Sequence, residues 1–163
     1  MATEKTPKAG QGNPQVQKIE KRWGKQLTEA GWTAIPSVLL SHQHRLGLDP
    51  LNLNIILQII KHWWEPGNPP FPSKTSIAKA IGIDVSTVRK RLRAMEKAGL
   101  LVRVERWDPH GGQKTNAYTF AGLIKKATPH AREELTERAA RKKAKAAKAK
   151  PGAKLTVIQG EKS

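Results

Sequence analysis

The residues best equipped for chemistry lie in one short run, Ile81-Gly82-Ile83-Asp84-Val85-Ser86-Thr87-Val88-Arg89-Lys90-Arg91-Leu92-Arg93. Guanidinium and ammonium groups meet phosphate oxygens, and short hydroxyls and Arg forks can read base edges, so the chemistry expected here is recognition of a polyanion. Bond-making chemistry has no foothold. The chain holds no phosphate-cradling GxxxxGK loop, no HExxH, no GxSxG and no cysteine, so the reading is that it is not an enzyme and carries no cofactor. In Ser41-His42-Gln43-His44-Arg45 two histidines stand two apart, which cannot both face one way on a helix. No carboxylate or thiolate lies at ligand spacing, so no metal is expected, and the stretch reads as a polar surface turn. Glu133-Glu134 reads as a solvated charge pair.

The elements that position the basic run follow from local signals. Ser73 is a candidate N-cap, and Ile77 and Ile81 share one helical face. Gly82 ends that helix, and Asp84 opens another, expected over residues 84–98. Val88, Leu92 and Met95 form its apolar stripe. Ser86, Thr87, Arg89, Lys90, Arg91, Arg93 and Lys97 fall on its remaining faces. After Gly99, the run Leu100 to Arg106 alternates as a strand, with Leu100, Val102 and Val104 expected on one face. A loop from Asp108 to Asn116 and a short strand Ala117–Phe120 follow. Two helices and a hairpin predict a winged helix-turn-helix: a mainly α fold with a small β-hairpin.

The segment from about Gly31 to Phe120 resembles the winged helix-turn-helix domain of bacterial, plasmid and phage DNA-binding proteins, including those related to bacteriophage replication protein O. The matching pieces are Trp32-Thr33-Ala34-Ile35-Pro36, the apolar helix after Asp49-Pro50, Phe71-Pro72-Ser73, Thr87-Val88-Arg89 and Met95-Glu96-Lys97-Ala98-Gly99-Leu100-Leu101. Val85 departs from the pattern, standing where many relatives carry a polar or basic residue. The resemblance implies the fold and DNA binding. It fits a transcriptional regulator and a replication initiator alike, because this module serves both.

The docking expected places helix 84–98 in the major groove, with Val85, Ser86, Thr87 and Arg89 at base edges. Ser73, Lys74, Thr75, Lys90, Arg91, Arg93 and Lys97 are the expected backbone contacts. At the wing, His110, Gln113, Lys114 and Asn116 reach the flanking groove or its phosphates, and Gly111 and Gly112 let the backbone approach closely.

Composition agrees. In 163 residues the formal net charge is +17, and the mean hydropathy is −0.59. Residues 1–28 hold six Lys/Arg against two Asp/Glu, residues 29–124 twelve against seven, and residues 125–163 twelve against four. These divide the chain into a basic N-terminal arm (1–28), a DNA-binding domain (29–124) and a basic C-terminal tail (125–163). Such charge favours nucleic acid. No run of apolar residues is long enough to span a bilayer, so no membrane partner is expected, and the absence of cysteine fits a reducing bacterial cytoplasm.

Residues 1–14 read as disordered. Over residues 15–30, Val16, Ile19, Trp23 and Leu27 lie three or four apart, with Gly24 weakening the helix. This stripe is the candidate homodimer surface; the favoured alternative is that it packs on its own domain. Val38, Leu39 and Leu40 are expected in the core. Leu51 to Trp64 reads as the central core helix, with one of Trp63 and Trp64 turned inward and the other outward; base stacking is open to the outer one, with core or edge packing the favoured reading. Ala121–Ala127 reads as a short closing helix. Residues 132–150 read as a loosely helical arm whose Arg141, Lys142, Lys143, Lys145, Lys148 and Lys150 track phosphates. Leu155 to Ile158 is the candidate site for a protein partner.

Overall fold

The computed structural model describes residues 14–148. The disordered reading of residues 1–13, together with Lys150 and the Leu155–Ile158 patch, lies outside the described residues. The elements in chain order are α1 (Pro14–Trp23), α2 (Lys25–Glu29), α3 (Ser37–Ser41), α4 (Pro50–Ile60), α5 (Lys74–Ile81), α6 (Val85–Lys97), β1 (Val102–Trp107), β2 (Gln113–Thr119) and α7 (Ala121–Lys148).

α4 is the post around which the rest packs. Asp49 caps it by accepting the Asn52 N–H at 2.7 Å, and Pro50 occupies the first turn, where its missing N–H costs nothing. Leu53, Ile55, Ile56 and Ile59 are buried along it. The helix stops at Ile60, earlier than the Trp64 expected, because a turn at Lys61 and His62 leads into the proline-rich loop. Val38 and Leu39 of α3 and the following Leu46 and Leu48 close one side of the core. Leu40, also expected inside, is exposed. Ile77 of α5 and Val88, Leu92 and Met95 of α6 fill another side. The tryptophans divide as expected. Trp63 lies against Phe120 (centroids 6.0 Å apart) and donates its indole N–H to the Glu65 carbonyl, whereas Trp64 is exposed.

The hairpin is antiparallel, with Val102 opposite Thr119 and Val104 opposite Ala117. Leu100, expected to share a face with Val102 and Val104, precedes β1 and is buried with Leu101 in the turn after α6, while Val102 and Val104 point outward. Alternation defines two faces without saying which is inner; here Arg103 and Tyr118, a cross-strand pair, take the inner one. Tyr118 also donates its backbone N–H to the Pro70 carbonyl at 2.9 Å, which stitches the wing to the proline-rich loop.

The C-terminal part also differs from expectation. In place of a short closing helix and a separate loose arm, α7 is one helix of 28 residues that runs through Pro129. Leu123 and Ala127 are buried, and Ala131 packs beside them, so a spacing of four gives α7 a docking face. Leu123 donates its N–H to the Leu100 carbonyl at 3.1 Å, and the Lys126 ammonium reaches the Ala98 carbonyl at 2.7 Å.

The stretch read as a polar turn, with the supposedly solvated Glu133-Glu134, forms a clasp between α3 and α7. The His42 and His130 rings stack with centroids 4.9 Å apart. His42 Nε2 lies 3.1 Å from Glu134 Oε1, and Arg45 donates to Glu133 at 2.9 Å. The Arg45 guanidinium, and then His130, hold the Glu133 carboxyl below the usual range.

At the N-terminus, Gly24 adopts φ 83°, which breaks the expected helix into α1 and α2. α1 buries no residue. Among the described residues the stripe is not packed into the core of the domain: Val16 and Ile19 are half-buried, and Trp23 is 66% and Leu27 61% exposed.

Candidate nucleic-acid interface

α5 and α6 are set by their ends. Ser73 accepts the Ser76 N–H at 3.0 Å and fixes the start of α5. Gly82 closes it at φ 79°, ψ 38°, a left-handed conformation that a Cβ would strain, and its N–H bonds the Ala78 carbonyl. Asp84 occupies the N-cap position of α6, although its side chain makes no capping hydrogen bond. That carboxylate stays exposed beside the helix N-terminus.

Burial of Val88, Leu92 and Met95 turns the opposite face of α6 outward. Ser86, Arg89, Lys90, Arg93 and Lys97 are all exposed on it. From Ser86 to Lys97 this face extends about 16 Å. Among the described residues, Arg89, Lys90, Arg93 and Lys97 pair with no carboxylate. Arg91 differs: its guanidinium holds Asp49 at 2.5 Å, so it ties α6 to the cap of α4. Val85 and Thr87 are half-buried, Val85 against the edge of the core. Ser73 and Lys74 are also half-buried, while Thr75 is exposed at the start of α5.

The wing is anchored at its base and closed at its tip. Arg103 donates its Nε to Glu96 of α6 at 2.8 Å, and a second guanidinium nitrogen bonds the same carboxylate oxygen. That pairing holds the Glu96 carboxyl below its ordinary range and raises Arg103. At the tip, Asp108 accepts the His110 N–H at 2.9 Å and pairs with Lys114 at 2.6 Å, which lowers the Asp108 pKa. The loop proper is only Asp108–Gly112. Gln113, Lys114 and Asn116, expected in it, lie on β2. The register slips between Val104 and Arg106, and the extra residue falls on β2 near Thr115 and Asn116. His110, Gly111 and Gly112 are exposed at the tip.

The basic residues of the tail are not brought to this face by any described contact. Arg141, Lys142, Lys143 and Lys145 are exposed in the last turns of α7, with Arg141 3.3 Å from Glu137. Lys148 is the final residue of the helix. From Ala127 to Lys145 is about 27 Å of helix. Sequence reading missed the Asp49–Arg91 tie and the Glu96–Arg103 anchor. Only the second leaves a local trace, an acid and a base seven apart across a turn.

Among the described residues no helix is long and apolar enough to cross a membrane. Residues 46–101 match the helix-turn-helix domain family. Over 97 residues the chain is 31% identical to the replicative helicase loading/DNA remodeling protein DnaD of Bacillus subtilis (strain 168). That match takes in 60% of this chain and 40% of the relative, so the chain spans less than half the length of that protein. The crystal structure of the N-terminal domain of DnaD from Geobacillus kaustophilus HTA426 superposes with a TM-score of 0.50 at 19% identity, over 76% of this chain and 96% of that one. At that identity the likeness concerns the fold. Within the matched stretch α5 and α6 are joined by the tight turn at Gly82 as a helix-turn-helix, and the hairpin that follows gives it the winged form.

Proposed function

We propose that this protein binds double-stranded DNA sequence-specifically and acts as a transcriptional regulator, reading the major groove with α6 and the flanking groove with the wing. The observation that carries the reading is the outer face of α6, where a hydroxyl and four cations without carboxylate partners stand opposite a fully buried stripe. Ser86 and Arg89 are its base readers, joined by the exposed edges of Val85 and Thr87. Lys90, Arg93 and Lys97 meet phosphates, with Ser73, Lys74 and Thr75 beside them. Arg91 positions the helix through Asp49 and reaches a phosphate only by leaving that carboxylate. His110 and the Gly111-Gly112 backbone lead the wing, with Gln113, Lys114 and Asn116 behind them. The role is binding rather than catalysis, and the compartment is the bacterial cytoplasm.

Selection of sites from a random duplex pool at physiological salt tests this, with Arg89→Ala as the partner experiment. The substitution should cost about 1–3 kcal/mol on the selected site and relax preference at one position. Equal behaviour of Arg89→Ala and the parent on selected and random DNA would remove α6 as the reader.

A second reading, replication initiation at an origin, is favoured by one observation, the 31% identity to a protein described as replicative helicase loading. In the regulator reading, the unburied Val16, Ile19, Trp23 and Leu27 stripe pairs with its copy in a homodimer, and the selected site is a palindrome. In the initiator reading the C-terminal tail engages a protein partner, and the selected site is asymmetric or directly repeated.

A further inference from the structure

A groove of ≈ 680 Å³ opens where residues 30–33 pass the end of α4 and the exposed flank of α5. Trp32, Trp64 and Phe71 line it, with the amides of Gln58 and Asn68 and the ammonium of Lys61. The three rings are 39%, 57% and 45% exposed. Aromatic side chains are normally sheltered, and three converging on one open groove form a patch that calls for an occupant. Among the described residues none of them stacks on another ring, and the indole N–H groups of Trp32 and Trp64 donate to nothing.

The charge around the groove says what kind of occupant. No carboxylate lines it. Arg106 of β1 lies 3.7 Å over the Phe71 ring, which leaves a cation at the rim. Neither Arg106 nor Lys61 has a carboxylate partner among the described residues. The open rings of Trp32 and Trp64, amides able to meet base edges, and cations without carboxylate partners are the elements of a stacking platform for single-stranded nucleic acid. A proline-rich peptide would use the rings but gain nothing from the cations. The groove also borders α5, whose N-terminal residues are the proposed phosphate contacts to duplex. A strand separated from that duplex would arrive beside it.

We propose that this groove binds single-stranded DNA, stacking bases on Trp64 and Trp32 while Lys61 and Arg106 meet the backbone. The position relative to the duplex rests on the DNA-binding reading above; the stacking chemistry does not.

The test is fluorescence anisotropy of a labelled thymidine strand of about 20 nucleotides with the full chain at roughly 150 mM salt, where nonspecific phosphate binding is weakened. Trp64→Ala should weaken strand binding by about tenfold, Trp32→Ala by a smaller factor, and Trp64→Phe, which keeps a stacking face, by less than about threefold. The same variants should bind the selected duplex within about twofold of the parent, whereas Arg89→Ala should weaken duplex and spare the strand. Circular dichroism melts confirm that each variant is folded. Strand binding indifferent to Trp64→Ala and Trp32→Ala in folded protein overturns the proposal. So does a thymidine mononucleotide that competes as strongly as the strand, which would make the groove a small-ligand site. Arg89→Ala binding selected and random duplex just as the parent does would overturn the reading of α6 while leaving the strand measurements to stand by themselves.

Discussion

Replacing Gly122 by alanine should destabilise this protein even though alanine is the better helix former. Gly122 lies in the first turn of α7, over the turn that ends α6. A Cβ there would stand 2.0 Å from the Gly99 carbonyl oxygen and 3.0 Å from its carbon. Both are backbone atoms, so no side chain can rotate away. Reaching even the shortest tolerable contact needs a displacement of about 1 Å between two backbone segments that hydrogen bonds hold together. That displacement falls on the Leu123 N–H to Leu100 bond (3.1 Å) and on the Lys126 contact to the Ala98 carbonyl (2.7 Å). Forced overpacking costs about 1–3 kcal/mol, and a strained hydrogen bond about 1 kcal/mol. Higher helix propensity returns about 0.5–1 kcal/mol. The net expectation is a loss of about 1–3 kcal/mol, or about 3–10 °C in Tm for a domain of this size. Thermal unfolding followed by circular dichroism measures it. Gly67→Ala is the control, because no atom lies within 4 Å of its Cβ and its φ is ordinary. It should shift stability by no more than about 1 kcal/mol. A Gly122→Ala protein that melts at or above the parent would refute the close approach of α7 to Gly99.

Two further predictions concern charge. The folded Glu96 carboxyl sits below its ordinary value of 4.5, so the stability it contributes is present above that value and is lost as pH falls through the lower folded one. Glu96→Gln should therefore cost about 1 kcal/mol near neutrality, and the difference from the parent should shrink as pH falls below 4.5; a difference that does not shrink in acid would show that the wing anchor does not act through charge. Converting Arg141, Lys142, Lys143 and Lys145 together to glutamine should lower the slope of log affinity against log salt by up to about 4, equally for selected and random duplex, and an unchanged slope would mean that the end of α7 does not touch DNA.

What could be read from the sequence was what is written locally. Asp49-Pro50, Ser73 and Gly82 each mark a helix end through their own backbone or side-chain chemistry, and each stands where expected. The stripe of Val88, Leu92 and Met95 likewise defines the outer face of α6. What escaped depends on partners far along the chain. Ala127 and Ala131 are too small to announce a docking face, so α7 looked like a tail. Glu133 looked solvated because Arg45 is 88 residues away. Alternation put Val102 and Val104 on one face and could not say on which side the core lies. Arg91 looked like a phosphate ligand because Asp49 is 42 residues earlier.

The clasp between α3 and α7 has a consequence for the order of folding. Its Arg45–Glu133 contact closes a loop of 88 residues, and that loop contains the entire helix-turn-helix and the wing. Closing so long a loop from an unstructured chain is entropically costly; folding of the intervening core shortens it first. On a ribosome, α4, α5 and α6 are complete before Glu133 and Glu134 have been synthesised. Until then His42 and Arg45, in the turn after α3, lack their partners on α7. The helix-turn-helix is therefore built first, and the clasp of α7 on the turn after α3 closes last.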